Sequence, residues 1–158
     1  MAAYGTDSAE WRPLPWEWAA ERLTANKSYW LVTVSVDGAP HSLPVWGVWN
    51  DHDLRFMFSC APMARKARNI RANPRVVFTV ESTVECISVE GVAMALTDPA
   101  RIDTWVDRYV EKYGNEVPEG LADFVRAHAM FEVKPTVAFA IIEREEEFAL
   151  RATRWRFS

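Results

Sequence analysis

The sequence predicts an α+β protein in which six mostly antiparallel strands close into a small barrel, with a few helices inserted between them. Six segments are rich in β-branched and aromatic residues and alternate between apolar and polar positions. Turn signals such as Asp37-Gly38 join consecutive segments, which favours hairpins. Closing the sheet hides edge strands that would otherwise expose unpaired backbone groups. The 158 residues fit a single domain over residues 1–158.

The first part of the chain is predicted to hold one helix and three strands. Residues 1–14 follow no apolar period, and we expect them to be loosely ordered. Pro15 suits the first position of a helix, whereas Pro44 lies within a strand and therefore requires an edge or a bulge. The predicted ranges are 15–23 for the helix and 29–36, 41–49 and 54–58 for the strands.

A basic segment follows the third strand. The chain has a formal net charge of −4, yet residues 59–75 contain five cations and no carboxylate. We predict a helix that opens at Pro62 with Ser59 as its cap, and that ends before Asn73-Pro74 because the residue before proline avoids the helical region. Its apolar face would comprise Met63, Ala67 and Ile70, and its cations are Arg65, Lys66, Arg68, Arg71 and Arg75.

Cations at a helix N-terminus form an anion site in outline, since backbone N–H groups there already favour negative charge. A solvated basic face is the alternative interpretation of the same segment.

The remainder of the chain is predicted to alternate strands with helices. Gly91 lies inside a long strand and indicates a bulge. Asp98-Pro99 opens a helix that Gly114 ends, and the apolar stripe of this helix is interpreted as core rather than as a cofactor site. The predicted strands cover residues 75–81, 84–96 and 131–143, and a shorter helix covers residues 119–129.

Composition and motifs exclude several classes of function. The chain has no glycine-rich nucleotide loop, no zinc-ligand spacing and no Gly-x-Ser-x-Gly elbow. Its acidic balance argues against nucleic-acid binding, and we expect neither a signal peptide nor a membrane span. Two cysteines without motif spacing favour a reduced, cytoplasmic protein without disulfides. A phosphate-type site beside an aromatic strand remains, which suits a cofactor that supplies its own chemistry.

The order of these pieces resembles the split β-barrel flavin and deazaflavin oxidoreductases, the superfamily that includes pyridoxamine 5′-phosphate oxidase. The resemblance covers about residues 30–96, with a further match at the C-terminus. The matching segments are residues 32–46, 54–58, 59–66, 68–70 and 73–76. This family implies an FMN-binding split barrel that forms a homodimer, with two cofactor sites across the interface.

The resemblance also implies which residues bind the cofactor. Ser59 and Lys66 match the phosphate-binding positions, Arg65 or Arg68 would assist them, and Asn69 would cap or orient the segment. Val45 and Trp46 match the strand against which the ring system lies. The ending around Trp155 is similar to that of the deazaflavin-dependent branch, where it would lie near the cofactor site of the other subunit. These cofactor-binding residues are Val45, Trp46, Ser59, Arg65, Lys66, Arg68, Asn69 and Trp155.

The expected activity is hydride transfer between coenzyme F420 and a small organic substrate. The expected absence of the longer N-terminal segment and of the arginine-rich C-terminal motif of true pyridoxamine-phosphate oxidases argues against the vitamin substrate and favours F420. FMN is the alternative cofactor. A flavin- or haem-binding protein without turnover is the alternative outside enzymes. No protein nucleophile is needed, and Tyr29 or His41 is a candidate proton donor. The expected partners are a second copy of the chain and a small molecule, with no metal, membrane or nucleic acid.

Overall fold

Seven strands and five helices make up the part of the chain that the computed structural model describes, residues 9–117 and 119–158. The strands β1–β7 are Ser28–Val34, Pro40–Asn50, Arg55–Cys60, Arg75–Val80, Glu85–Ala95, Ala129–Ile142 and Thr153–Arg156. The helices α1–α5 are Trp16–Ala25, Arg65–Ala72, Pro99–Tyr113, Leu121–Arg126 and Phe148–Arg151.

All strand pairs are antiparallel and form one sheet in the order β3-β2-β1-β4-β5-β6-β7. A further pairing of β3 with β6 closes a ring of six strands. The predicted α+β class and six-stranded barrel are therefore confirmed. The short strand β7, which the sequence interpretation missed, adds to the far half of β6 outside the ring.

Aromatic side chains fill the inside of the ring, because alternate residues of each strand point inward. Phe56 of β3 and Phe78 of β4 stack with ring centroids 4.2 Å apart, and Tyr29 of β1 packs against Phe56 at 4.6 Å. All three side chains are fully buried. Helix α1 adds Ala19 and Leu23 to this core.

Pro44 and Gly91, which a regular strand tolerates poorly, lie at a strand edge and at a bulge, as the sequence predicts. Pro44 pairs with Trp30 of β1, but β2 pairs with β3 only from Gly47 onward, so the other side of Pro44 is an open edge. The register of β5 shifts between Glu90 and Gly91, and a Cβ at Gly91 would lie 2.6 Å from the carbonyl oxygen of Lys134. The predicted edge and bulge are both confirmed.

The helix pair α3 and α4 covers the outside of β2, β3 and β6. Asp98 caps α3 by accepting a hydrogen bond from the backbone N–H of Ala100. The stripe of α3 packs as core, as expected, together with one residue from each covered strand. This second cluster contains Trp105, Val106, Tyr109 and Tyr113 of α3, Leu121 and Val125 of α4, and Val48, Met57 and Met130 of the strands.

The start of the basic helix differs from the prediction. Helix α2 begins at Arg65, not at Pro62, and Ser59 is part of β3 and caps nothing. The reason is tertiary, because pairing with β6 extends β3 to Cys60 and residues 61–64 then form a turn. Met63 in that turn is 73% exposed, so it does not join Ala67 and Ile70 on the buried face.

The N-terminal segment is better fixed than expected. Residues 1–8 of the predicted loose region lie outside the described residues. Farther along, the indole N–H of Trp11 donates to the carbonyl of Ala152 at 3.0 Å, and the backbone N–H of Leu14 donates to the Thr153 hydroxyl at 2.8 Å. Hydrogen bonds to Ala152 and Thr153, which are distant in sequence, thus hold Trp11 and Leu14 in place.

Candidate cofactor site

Strands β2 and β3 part at one defined point on the barrel. They pair from Asn50↔Arg55 to Gly47↔Phe58, after which β2 continues along β1 and β3 continues along β6. Gly47 faces inward, since a Cβ there would lie 2.3 Å from the Phe56 ring. Side chains alternate across a strand, so Trp46 and Ser59 project outward at the two sides of the split.

Lys66 is the best candidate among the cations of α2 to bind a ligand at this split. It is the second residue of α2, it is half-buried, and it forms no hydrogen bond or ion pair within the described residues. Burial raises the pKa of the Cys60 thiol at the end of β3, while the charges of Lys66 and Arg71 lower it. Lys66 therefore lies next to the end of β3 with no counter-ion on this chain, an arrangement that suits an anionic ligand.

The other cations of α2 are partly engaged by the protein. Arg68 donates from Nη1 to the carbonyl of Met63 at 2.7 Å, and Arg71 donates to that of Pro62 at 2.9 Å, which fixes the turn before the helix. A hydrogen bond from Ser35 is the main reason that the Asp37 carboxyl has a lowered pKa, and the charge of Arg65 contributes as well. Arg65 thus lies near the β1–β2 turn.

Asn69 holds the helix against the barrel. Its Nδ2 donates to the Thr33 hydroxyl at 3.0 Å, and both side chains are buried. This bond spans 36 residues of sequence and fixes α2 against β1. The side chain of Asn69 accordingly orients the segment from behind and is not open to a ligand.

The two predicted ring-binding residues occupy different environments. Val45 is 7% exposed and belongs to the barrel core, so its side chain is not open to a ligand. Trp46 is 41% exposed and stacks on Tyr113 of α3, with centroids 4.8 Å apart and an interplanar angle of 7°.

A hydrogen-bond cluster that the sequence interpretation missed supports Trp46 from below. The Tyr113 hydroxyl accepts from the Gly47 N–H at 3.0 Å and lies 2.7 Å from the carbonyls of Lys27 and Gly47. Lys112 donates from Nζ to the Tyr29 hydroxyl and to the Gly47 carbonyl, each at 3.0 Å. Burial, with a contribution from Lys27, lowers the pKa of Lys112 to about 8. Sequence placed Tyr113 only in a core stripe, because these contacts are tertiary.

The candidate proton donors differ in accessibility. Tyr29 is fully buried and its hydroxyl donates to the carbonyl of Leu23, so it is not available to a substrate at the split. Desolvation raises the pKa of Tyr29, which also opposes proton loss. His41 is half-buried on β2, where it pairs with Thr33.

Trp155 lies far from the split on its own chain. It pairs with Ala138, whereas Ser59 pairs with Met130, and eight residues of strand correspond to about 26 Å. Its indole packs edge-on against Trp16 at 5.4 Å. A contribution of Trp155 to the site requires a second subunit.

The described part of the chain contains neither a metal-binding cluster nor a helix that could cross a membrane. No group of three or more His, Cys, Asp or Glu side chains is placed to hold a metal ion among residues 9–117 and 119–158. None of the helices described there combines the length and the apolar character that crossing a bilayer requires.

Comparison with known families decides how the chain is classified. A family model described as pyridoxamine 5′-phosphate oxidase matches residues 16–146. The chain belongs to this family. The split barrel and the strand-to-helix segment at Ser59 and Lys66 both lie within the matched range. No curated protein matches the chain.

Solved structures give the same fold. A protein titled F420 Reductase is 24% identical, with 75% of this chain and 93% of that chain covered and a TM-score of 0.58. HutZ, the haem storage protein from Vibrio cholerae, is 21% identical, with coverage of 78% and 91% and a TM-score of 0.62. A FAD-binding protein from Mesorhizobium loti is 22% identical, with coverage of 79% and 92% and a TM-score of 0.61. These identities support the fold alone.

Proposed function

We propose that the protein is an oxidoreductase that binds coenzyme F420 at the split between β2 and β3 and exchanges hydride with a small organic substrate. FMN is the alternative cofactor. The observation that supports this most strongly is the position of Lys66, a half-buried cation without a counter-ion among the described residues, beside the end of β3. Family membership supports the use of a flavin-type cofactor.

The residues present fit such a cofactor. Lys66 and the Ser59 hydroxyl would bind its phosphate, and charge-assisted contacts of this kind contribute about 1.5–3 kcal/mol. The ring system would lie against the strand segment that carries Trp46, whose indole the Tyr113 ring holds in place. The bound deazaflavin would supply hydride chemistry at C5, whereas the protein binds the cofactor, orients it and limits the access of water.

The preference for F420 over FMN rests on the number of cations on α2, which is larger than one phosphate requires. F420 has an oligoglutamate tail beyond its phosphate and is therefore more negative than FMN. Arg65, Arg68 and Arg71 are exposed on α2 and retain N–H groups beyond the bonds they make to the loop. One structural neighbour is titled F420 Reductase, which supports this choice by analogy of fold.

We further propose that the protein is a homodimer. The outer face of β1 and β4 presents apolar side chains, including Trp30, which is 47% exposed. A 300 Å³ depression on this face is lined by valines and by one residue of each charge, Arg75 and Glu90, which suits a self-complementary contact. Sedimentation at micromolar concentration should give about twice the 18.1 kDa chain mass, and a monomer that binds cofactor fully would overturn this assembly.

A protein that binds its ligand without turnover is the second candidate. One neighbour is titled a haem storage protein, so the fold is compatible with this role. The two candidates separate when the protein is produced in a host that makes F420, FMN and haem. Mass and absorption spectra of the extracted ligand should show a deazaflavin, whereas extracted haem would overturn the oxidoreductase proposal and extracted FMN would support the alternative cofactor.

A further inference from the structure

An apolar cavity of about 410 Å³ lies beside Trp46, between β2 and the α3–α4 pair. This volume is within the range of small-molecule sites. We call it the Trp46 pocket. Its described lining residues are Trp46, Tyr109, Val117, Glu119, Gly120, Leu121 and Phe124.

Aromatic rings define the shape of the pocket. One face of the Trp46 indole rests on Tyr113, with the ring planes within 7° of parallel, so the indole is held as a flat wall. Phe124 of α4 also lines the pocket and is 59% exposed, although it is a large apolar side chain. The His128 ring packs against Phe124 with centroids 4.2 Å apart. Two supported aromatic side chains that border one cavity favour a planar ligand, because stacked or edge-on rings attract each other.

The charges at the pocket disfavour an anion. Glu119 is the single acidic side chain among the described lining residues, and no Lys, Arg or His is among them. Burial raises the pKa of Tyr109, so that hydroxyl stays neutral. The pocket therefore differs from the cationic surroundings of Lys66, and the phosphate of a nucleotide cofactor does not belong in it.

We propose that the Trp46 pocket binds an uncharged planar aromatic molecule of two to three fused rings. Its assignment as the substrate site rests on the proposed function, since Trp46 would then border both the cofactor and this ligand. The choice of an uncharged planar ligand does not depend on the cofactor. It follows from the charge of Glu119 and from the flat rings of Phe124 and Trp46.

Calorimetric titration of the protein with two matched probes tests the proposal. 2-Naphthol is neutral at pH 7 and naphthalene-2-sulfonate has the same rings with one negative charge. We expect the neutral probe to bind at least tenfold more tightly. Equal affinities, tighter binding of the sulfonate or no binding of either probe would overturn the proposal.

Variants locate the bound probe. Phe124→Ala and Trp46→Ala should each weaken 2-naphthol binding at least fivefold, and Phe124→Leu, which keeps an apolar side chain without a ring, should also weaken it. Val36→Ala is the matched control, because Val36 is an exposed apolar residue in the β1–β2 turn. Unchanged binding in both Phe124 variants would contradict the proposal.

Parallel titrations with F420 separate the pocket from the proposed function. Binding of 2-naphthol without binding of F420 supports the pocket and overturns the proposed cofactor. Binding of F420 without binding of 2-naphthol overturns the pocket. A loss of dimer mass in Phe124→Ala, together with no binding of 2-naphthol to the parent protein, would assign the pocket to a second copy of the chain and contradict the proposal.

Discussion

The hydroxyl of Tyr113 accepts a hydrogen bond from the backbone N–H of Gly47 at 3.0 Å, across 66 residues of sequence. Gly47 is also the first residue of β2 that pairs with β3. The same hydroxyl lies 2.7 Å from the carbonyl of Lys27, just before β1 begins. One side chain of α3 thus fixes the start of β1 and the point on β2 where the barrel splits, and its ring supports Trp46 there.

Removal of this hydroxyl should destabilise the protein. Tyr113→Phe keeps the ring but leaves the buried N–H of Gly47 without its partner, which costs about 1–3 kcal/mol of the free energy of unfolding. Urea unfolding measures this loss. Tyr109→Phe is the matched control, since the Tyr109 hydroxyl makes no hydrogen bond within the described residues, and its change should stay within about 0.5 kcal/mol. Equal effects of the two substitutions would contradict the assigned role of Tyr113.

The buried carboxylate of Glu132 should be more important than the surface ion pairs. It accepts hydrogen bonds from Arg101 at 2.8 Å and from the Trp105 indole at 2.7 Å, and it pairs with Arg55 at 3.4 Å. Glu132→Ala leaves the buried indole N–H of Trp105 without its partner and removes one carboxylate from Arg101, which keeps its bond to Asp53. The substitution should cost about 2–3 kcal/mol.

An exposed carboxylate provides the comparison for Glu132. Asp103→Ala removes the surface partner of Arg126 and should cost at most about 1 kcal/mol. Thermal and urea unfolding of both variants check the difference, and similar losses would show that burial does not govern the contribution of Glu132.

The free energy of unfolding should pass through a maximum at about pH 10. Lys112 has a pKa of about 8 in the fold against 10.5 in the unfolded chain, so between these values the unfolded chain binds more protons and stability rises with pH. Tyr113 has a pKa raised to about 12 from 10, mainly by burial, so above pH 10 the unfolded chain loses its proton first and stability falls.

A pH series of urea titrations tests both slopes. The rise should disappear in Lys112→Met, which keeps the length of the side chain without a titratable group. The fall above about pH 10 should persist in that variant, because the buried tyrosines remain. Stability that declines steadily from pH 7 to pH 10 in the parent protein would contradict the burial of the Lys112 amine.

Local patterns in the sequence predicted the six strands of the barrel, the bulge at Gly91 and the buried stripe of α3, because each depends on alternation, spacing or a single glycine. Features set by tertiary contacts were not predictable in this way. The start of α2 depends on pairing of Ser59 with β6 and on the bonds of Arg68 and Arg71 to the preceding loop.

In the candidate site, too, some features could be predicted from the sequence and others depend on tertiary contacts. The family resemblance placed Ser59, Lys66 and Trp46 at a cofactor site, and strand registers bring Ser59 and Trp46 to the two sides of one split. The inward orientation of Val45 and the contacts of Tyr113 with Gly47 need the folded chain. No local signal in the sequence distinguishes the Tyr113 hydroxyl from any other tyrosine of a helical stripe.

Salt should affect the two candidate cofactors differently. If F420 binds as proposed, the exposed arginines of α2 would contribute about 0–1 kcal/mol each to binding of its extended polyanionic tail, and salt would screen these contributions. F420 should therefore bind more tightly than FMN at low ionic strength, with a gap that narrows as salt is added. Fluorescence titrations at two salt concentrations measure the gap. A ratio that does not change with salt would show that these arginines do not contact the tail of F420.

Substitution of Lys66 tests the central claim most directly. The measurement is a titration of F420 into the parent protein, Lys66→Ala and Lys134→Ala, where Lys134 is an exposed lysine on β6 outside the site. We predict that Lys66→Ala weakens F420 binding tenfold or more, with the melting temperature of the cofactor-free protein nearly unchanged, and that Lys134→Ala binds like the parent. Equal affinity of F420 for Lys66→Ala and for the parent protein would contradict the account.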